Sequence, residues 1–221
     1  MLGYSCGQKG RGLLFYGEWV LGEYGMSELP LVLIIGDSIS IGYTPHVRRE
    51  LEGRARVERH EGNGGDSLNV LSKLESLWLP ALSGRPDLIH VNCGLHDLRF
   101  WPDRDEYQVP VASYRENVAL LAGALAATGA KILWATTTPV LDGAPKMNAQ
   151  FSRRNEDVEA YNAAALSAVS AAGFAVDDLN AFVKELGPED AITPDGVHFT
   201  DEGYARLGAR VAEAISRQLG I

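Results

Sequence analysis

The sequence is poor in cysteine, in basic residues and in long apolar runs, and each shortage excludes something. Two cysteines in 221 residues, Cys6 and Cys93, make neither the disulfide framework of a small secreted fold nor a spaced zinc site. Twenty Lys and Arg against 29 Asp and Glu leave a formal charge of −9, which disfavours nucleic acid or an anionic membrane as a partner. No apolar stretch approaches the roughly 20 residues needed to cross a bilayer. Lys9 and Arg11 precede a short apolar stretch, but Glu18 interrupts it and no small-residue cleavage site follows, unlike a signal peptide. A cytoplasmic location is the expectation. Residues 1–26 are glycine-rich and weakly periodic and read as a flexible extension, with Met26 a candidate start, whereas 27–221 read as one domain.

What remains is patterned. Leu31 to Ile35 is an unbroken apolar run, as in a strand buried on both faces of a parallel sheet. Gly36, Asp37 and Ser38 follow it and turn the chain out at the carboxyl edge, where open α/β sheets collect ligands. Ser38 is a candidate nucleophile. Further strands are expected at Ala55 to Arg59, Asp87 to Cys93, Lys131 to Ala135 and Phe174 to Val176. Between them lie helical patterns from Tyr43 to Gly53, Val111 to Thr128, Asp157 to Ala172 and Leu179 to Leu186. Ser67 is the expected cap of another helix, with Leu68, Leu71, Leu74 and Leu77 or Trp78 on its inner face. Thr200 caps the last helix, to Leu219. Five alternations predict a three-layer α/β/α sandwich, a doubly wound five-stranded parallel sheet of flavodoxin-like type.

Chemistry concentrates in three loops. Asp195-Gly196-Val197-His198, just before the last helix, offers a base and an orienting carboxylate for a serine hydroxyl. Gly62, Gly64 and Gly65 can bring backbone N–H groups close to a ligand. Gly94-Leu95-His96-Asp97 opens a loop rich in arginine and aromatic residues, including Arg99, Phe100 and Trp101. Asp97 is expected to anchor that loop, His90 to lie in the core, and His46 and His60 to lie on the surface. His90, His96 and Asp97 have metal-ligating side chains, but a strand and its following loop seldom converge without a further ligand, so neither a metal nor another cofactor is expected.

On these residues the chain resembles the SGNH hydrolases, or GDSL-type esterases, from about Leu31 to its end. The resemblance matches Gly36-Asp37-Ser38-Ile39 to the family's first block, with Ser38 as nucleophile and backbone oxyanion donor. It matches Gly64, with Gly65 one residue beyond, to the second block, whose glycine N–H is another donor. Asp195 and His198 match the last block, as orienting acid and general base. The third block departs: the family's G-x-N-D is here Gly94-Leu95-His96-Asp97, so His96 stands where an asparagine would donate to the oxyanion. Ser40, where G-x-S-x-G has its second glycine, sets the chain apart from the α/β-hydrolases. The resemblance implies a serine ester hydrolase acting through an acyl-enzyme on a small-molecule ester. An O-acetylated carbohydrate or other small polar substrate is the first expectation, with Asp37, Phe100 and Trp101 as candidate substrate contacts. The alternatives are a non-catalytic binding module on the same fold, marked by the altered third block, and an acyltransferase to an alcohol acceptor.

Overall fold

The structure is a computed structural model that describes residues 29–143 and 150–221. The expected extension at 1–26 lies outside the described residues. Strand β1 is Leu31–Ile35, buried at every position. It is followed at once by α1, Ser38–Glu50, which starts five residues before the expected Tyr43. The reason is a cap: Asp37 Oδ1 accepts from the Ile39 N–H at 2.9 Å, so the polar G-D-S turn is itself the start of the helix.

Strand β2, Arg56–Arg59, pairs in parallel with β1. Helix α2, Ser67–Lys73, is capped by Asp66 and not by Ser67: the Asp66 carboxylate accepts from the Asn69 N–H at 3.0 Å. It runs on into a π-helical turn, Leu74–Trp78. The inner face is Val70, Leu74 and Trp78, whereas Leu68 and Leu77 are 54% and 53% exposed. A spacing of four keeps one face aligned through the wide turn; the leucine row at a spacing of three drifts off it.

Strand β3 is Leu88–Val91, and the loop after it folds a small antiparallel hairpin from β4, Phe100–Trp101, and β5, Glu106–Tyr107. Then come α3, Val111–Ala127; β6, Lys131–Ala135; α4, Asn155–Ala171; and β7, Ala175–Asp177. The chain closes with α5, Leu179–Leu186; the short α6, Pro188–Ala191; and α7, Asp201–Leu219, which Thr200 caps through Gly203.

The main sheet has the order β2-β1-β3-β6-β7, all parallel. Helices α1 and α7 pack together on one side, and α2, α3 and α4 on the other, giving the three layers expected. The chain reverses direction across the sheet at β1 and β3, so their carboxyl ends flank the switch-point crevice where such folds bind ligands. Ser38 and His96 follow those two ends.

Two glycines let α1 and α7 approach closely. A Cβ on Gly208 would lie 2.4 Å from the His46 Cβ, and one on Gly42 would lie 2.1 Å from the Tyr204 ring. Beneath them, fully buried His90 faces the Tyr43 hydroxyl at 3.4 Å and Asp177 Oδ2 at 3.3 Å, while Asp177 Oδ1 accepts from Arg210 Nε at 2.9 Å. His90 is therefore a core residue tying β3 to β7. Among the described residues no helix is long and apolar enough to cross a membrane.

Candidate active site

Ser38 occupies the first turn of α1, where backbone N–H groups have no helical acceptor. Its Oγ lies 2.8 Å from His198 Nε2, although 160 residues separate the two. His198 Nδ1 lies 2.9 Å from Asp195 Oδ2. The local fold of the Asp195 loop sets this spacing. Asp195 Oδ1 accepts from the N–H groups of both Val197 and His198 at 2.8 Å, which leaves Oδ2 free to face the ring. Burial works to raise the Asp195 pKa, but the two backbone N–H groups and the imidazole outweigh it and hold the carboxyl below its usual value. The loop is fixed in turn by Thr193 N–H on the His198 carbonyl at 2.7 Å and by Leu141 N–H on the Gly196 carbonyl at 2.8 Å.

The turn that carries Ser38 is gripped from β2. Arg59 donates to the carbonyls of Gly36 at 2.9 Å and Asp37 at 3.2 Å, and to Ser40 Oγ at 3.0 Å. His60, expected on the surface, is 5% exposed: its ring stacks on Trp78 at 3.9 Å and its Nε2 lies 2.9 Å from the Gly36 carbonyl. Asp37, a candidate substrate contact, is 2% exposed; its Oδ1 caps the helix, while the residue also borders the cavity over Ser38. Burial raises its pKa, with the Ile39 N–H pulling the other way.

Gly64 packs against that same turn. A Cβ on it would lie 2.7 Å from the Gly36 carbonyl oxygen, so no side chain fits there without displacing backbone. Its N–H donates to that oxygen at 3.0 Å and is thereby committed. The next amide, Gly65, donates to Asn63 Oδ1 at 2.9 Å.

A cavity of about 410 Å³ opens over Ser38 and His198, lined also by Asp37, Asn63, Leu95, His96, Arg99, Phe151, Arg153 and Val197. A larger depression of about 800 Å³ between Val140 and Pro194 carries no serine, cysteine or histidine. His96 is half-buried in the cavity wall. Burial, reinforced by the charges of Arg99 and Arg153, lowers its pKa to about 3. The ring is therefore neutral at ordinary pH and offers one N–H, not the cation that would have made it a stronger donor.

Residues 34–206 match the model of the GDSL-like Lipase/Acylhydrolase family. The chain belongs to that family. Membership makes this chain a serine ester hydrolase of the GDSL type. Solved structures share the fold. A lipase/acylhydrolase from Enterococcus faecalis is 22% identical with a TM-score of 0.70, covering 86% of this chain and 97% of its own. An acetyl xylan esterase, AlAXEase, is 18% identical with a TM-score of 0.67, covering 84% and 99%. TesA is 21% identical with a TM-score of 0.64, covering 85% and 98%. No curated protein matches the chain.

In this GDSL-type hydrolase Phe100 and Trp101 are not among the cavity's lining residues. Phe100 packs on Tyr107 at 5.2 Å, and Trp101 packs on Phe151, ring centroids 5.3 Å apart. Phe151 and Arg153, which do line it, sit in the long loop before α4 and carry no sequence motif. Asn162 fastens the start of that loop through both polar groups of the Thr137 backbone, at 2.8 and 2.9 Å. Among the described residues no cluster of His, Cys, Asp or Glu could hold a metal ion.

Asp97 anchors the loop that carries His96, as its position suggested. It is fully buried, and its carboxyl accepts from Ser67 N–H at 2.9 Å and Ser67 Oγ at 2.5 Å. Burial, partly offset by those bonds, raises its pKa from 3.8 to about 7. A raised folded-state value means that its stabilising contribution is complete below about pH 4 and is lost as the pH rises through about 7. Denaturant titrations should therefore show the hydrolase losing stability relative to Asp97→Asn between pH 4 and 8. The loss should be on the order of a few kcal/mol, since each tenfold change in proton affinity is worth about 1.4 kcal/mol. Parallel pH curves for the two proteins would contradict this.

Proposed function

We propose that this hydrolase cleaves short acyl esters, O-acetyl groups on a carbohydrate or another small polar substrate foremost, through an acyl-enzyme on Ser38. The observation that carries the reading is the continuous line Ser38 Oγ, His198 Nε2, His198 Nδ1, Asp195 Oδ2, with both contacts within 2.9 Å. In this reading Ser38 Oγ attacks the ester carbonyl as His198 Nε2 takes its proton. Asp195 orients the ring and stabilises its cationic form. His198 then protonates the leaving alcohol as the tetrahedral intermediate collapses, and a water deprotonated by the same nitrogen releases the acid.

The oxyanion is held by the Ser38 N–H and the neutral His96 ring. The second loop contributes Gly65 in preference to Gly64, because the Gly64 N–H is committed to Gly36. The Asn63 side chain that engages Gly65 is exposed and free to yield. The modest volume of the cavity favours a short acyl group, and the fold neighbour named an acetyl xylan esterase is in keeping with an acetylated sugar. The scarcity of cysteine supports a cytoplasmic setting.

The reading predicts that 4-nitrophenyl acetate is hydrolysed with a kcat/KM at least about tenfold above that of 4-nitrophenyl octanoate. A preference for octanoate would replace the polar substrate with a lipid. An ester transferred to an added alcohol in excess of free acid would mark an acyltransferase.

A further inference from the structure

Two arginines face the same cavity as the nucleophile, and among the described residues neither closes on a carboxylate as an ion pair; the charge of Asp37, and for Arg153 that of Asp195, reaches them only from beyond ion-pair distance. Arg99 and Arg153 both line the space over Ser38 and His198. Every ion pair among the described residues involves other groups. Arg99 Nε is buried and has no hydrogen-bond partner there. Arg153 donates its Nε–H to the Leu95 carbonyl at 2.6 Å, which leaves its terminal nitrogens uncommitted among the described residues. Both guanidinium groups lie against the Phe151 ring, at 4.7 and 5.0 Å from its centroid, which holds both arginines about one aromatic side chain of the cavity wall.

Two like charges held together and half-buried are unfavourable unless something compensates them. Burial, and then the charge of Arg99, lower the Arg153 pKa to about 10. Carboxylates elsewhere in this molecule do close on arginines when packing requires it, as Asp177 does on Arg210 at 2.9 Å. On a protein of charge −9 an unpaired arginine pair beside the nucleophile is the complement of a negative ligand.

We propose that Arg99 and Arg153 form an anion subsite, and that the preferred substrate is an ester bearing a carboxylate or a similar anionic group close to the scissile bond. The proposal rests on the serine hydrolase reading and narrows its substrate class. Planar guanidinium groups suit oxygen anions, since each can present two parallel N–H donors to one such group. The anionic group can sit on the acyl or on the alcohol side, and two substrate pairs separate these.

On the acyl side, mono-4-nitrophenyl succinate is compared with 4-nitrophenyl butyrate. On the alcohol side, 4-acetoxybenzoate is compared with its methyl ester. Each rate is corrected for the enzyme-free reaction. The expected result is a ten- to hundredfold higher kcat/KM, on the order of a charge-assisted hydrogen bond or two, for the anionic member of one pair. That ratio should fall by at least about tenfold in Arg99→Gln and in Arg153→Gln, chiefly through KM, and be kept only in part in Arg99→Lys, which retains the charge without the planar fork. If the arginines only brace Phe151 and Leu95, both members of a pair slow equally and the ratio stands, which overturns the proposal. A ratio near one in both pairs, with 4-nitrophenyl acetate still hydrolysed in a Ser38-dependent way, overturns the anion subsite alone. Absence of any Ser38-dependent hydrolysis overturns the underlying reading instead.

Discussion

Replacing Ser38 with alanine is expected to lower kcat/KM for 4-nitrophenyl acetate by on the order of 10⁴-fold or more while leaving the melting temperature nearly unchanged. In the proposed mechanism Ser38 Oγ alone bonds to carbon, and no second hydroxyl lies within reach of His198 Nε2 among the described residues. Stability, in contrast, owes little to that oxygen. Ser38 is half-buried at a cavity mouth, and the turn around it is held by Asp37, Arg59 and His60 through other atoms. His198→Ala should match the serine variant, and the double variant should be no worse than either, because the two act as one unit. Asp195→Asn should also cost on the order of 10⁴-fold, since an amide facing Nδ1 permits the wrong tautomer. A loss of less than tenfold in any of these, read by stopped or continuous release of 4-nitrophenol, would place the chemistry elsewhere.

Replacing His96 with alanine is expected to lower kcat by about 10²-fold with little change in KM, the signature of a donor that acts on the transition state. His96→Asn should recover most of the rate, because the amide Nδ2–H offers the same kind of donor as the family's asparagine. The pH profile supplies an independent check. With its pKa lowered to about 3 by burial and by the two arginines, His96 stays neutral from about pH 5 to 9. The rate lost in His96→Ala should therefore be a constant factor across that range. A factor that shrinks as the pH rises through about 6 to 7 would mean a cationic ring, and no loss at all would remove His96 from the site.

How much of this was legible in the chain follows from the range over which each feature is encoded. The apolar run of β1, the G-D-S turn and the Asp195–His198 pair are local patterns, and each occupies the place its spacing suggested. The five alternations were enough for the layer order, because parallel strands with right-handed crossovers leave few arrangements. Helix starts were missed where an aspartate cap outranked a hydrophobic period, at Asp37 and at Asp66. The larger omissions are residues whose role exists only after folding. Arg59 reads as an edge-strand charge but reaches back to three groups of the nucleophile's turn, and His60 reads as a loop histidine but is sealed under Trp78. Phe151 and Arg153 come to the cavity from a loop that bears no motif. Phe100 and Trp101, which do resemble a substrate wall, are drawn into the β4–β5 hairpin and are not among the cavity's lining residues.

The most direct test of a Ser38-based mechanism is to treat the protein with a serine-directed organophosphonate, digest it and locate the adduct by mass spectrometry. The expected result is one equivalent of label on the peptide containing Ser38, formed in step with loss of esterase activity, absent in Ser38→Ala and strongly slowed in His198→Ala. Full esterase activity with no label at Ser38, or a label on another serine that tracks the loss of activity, would contradict it.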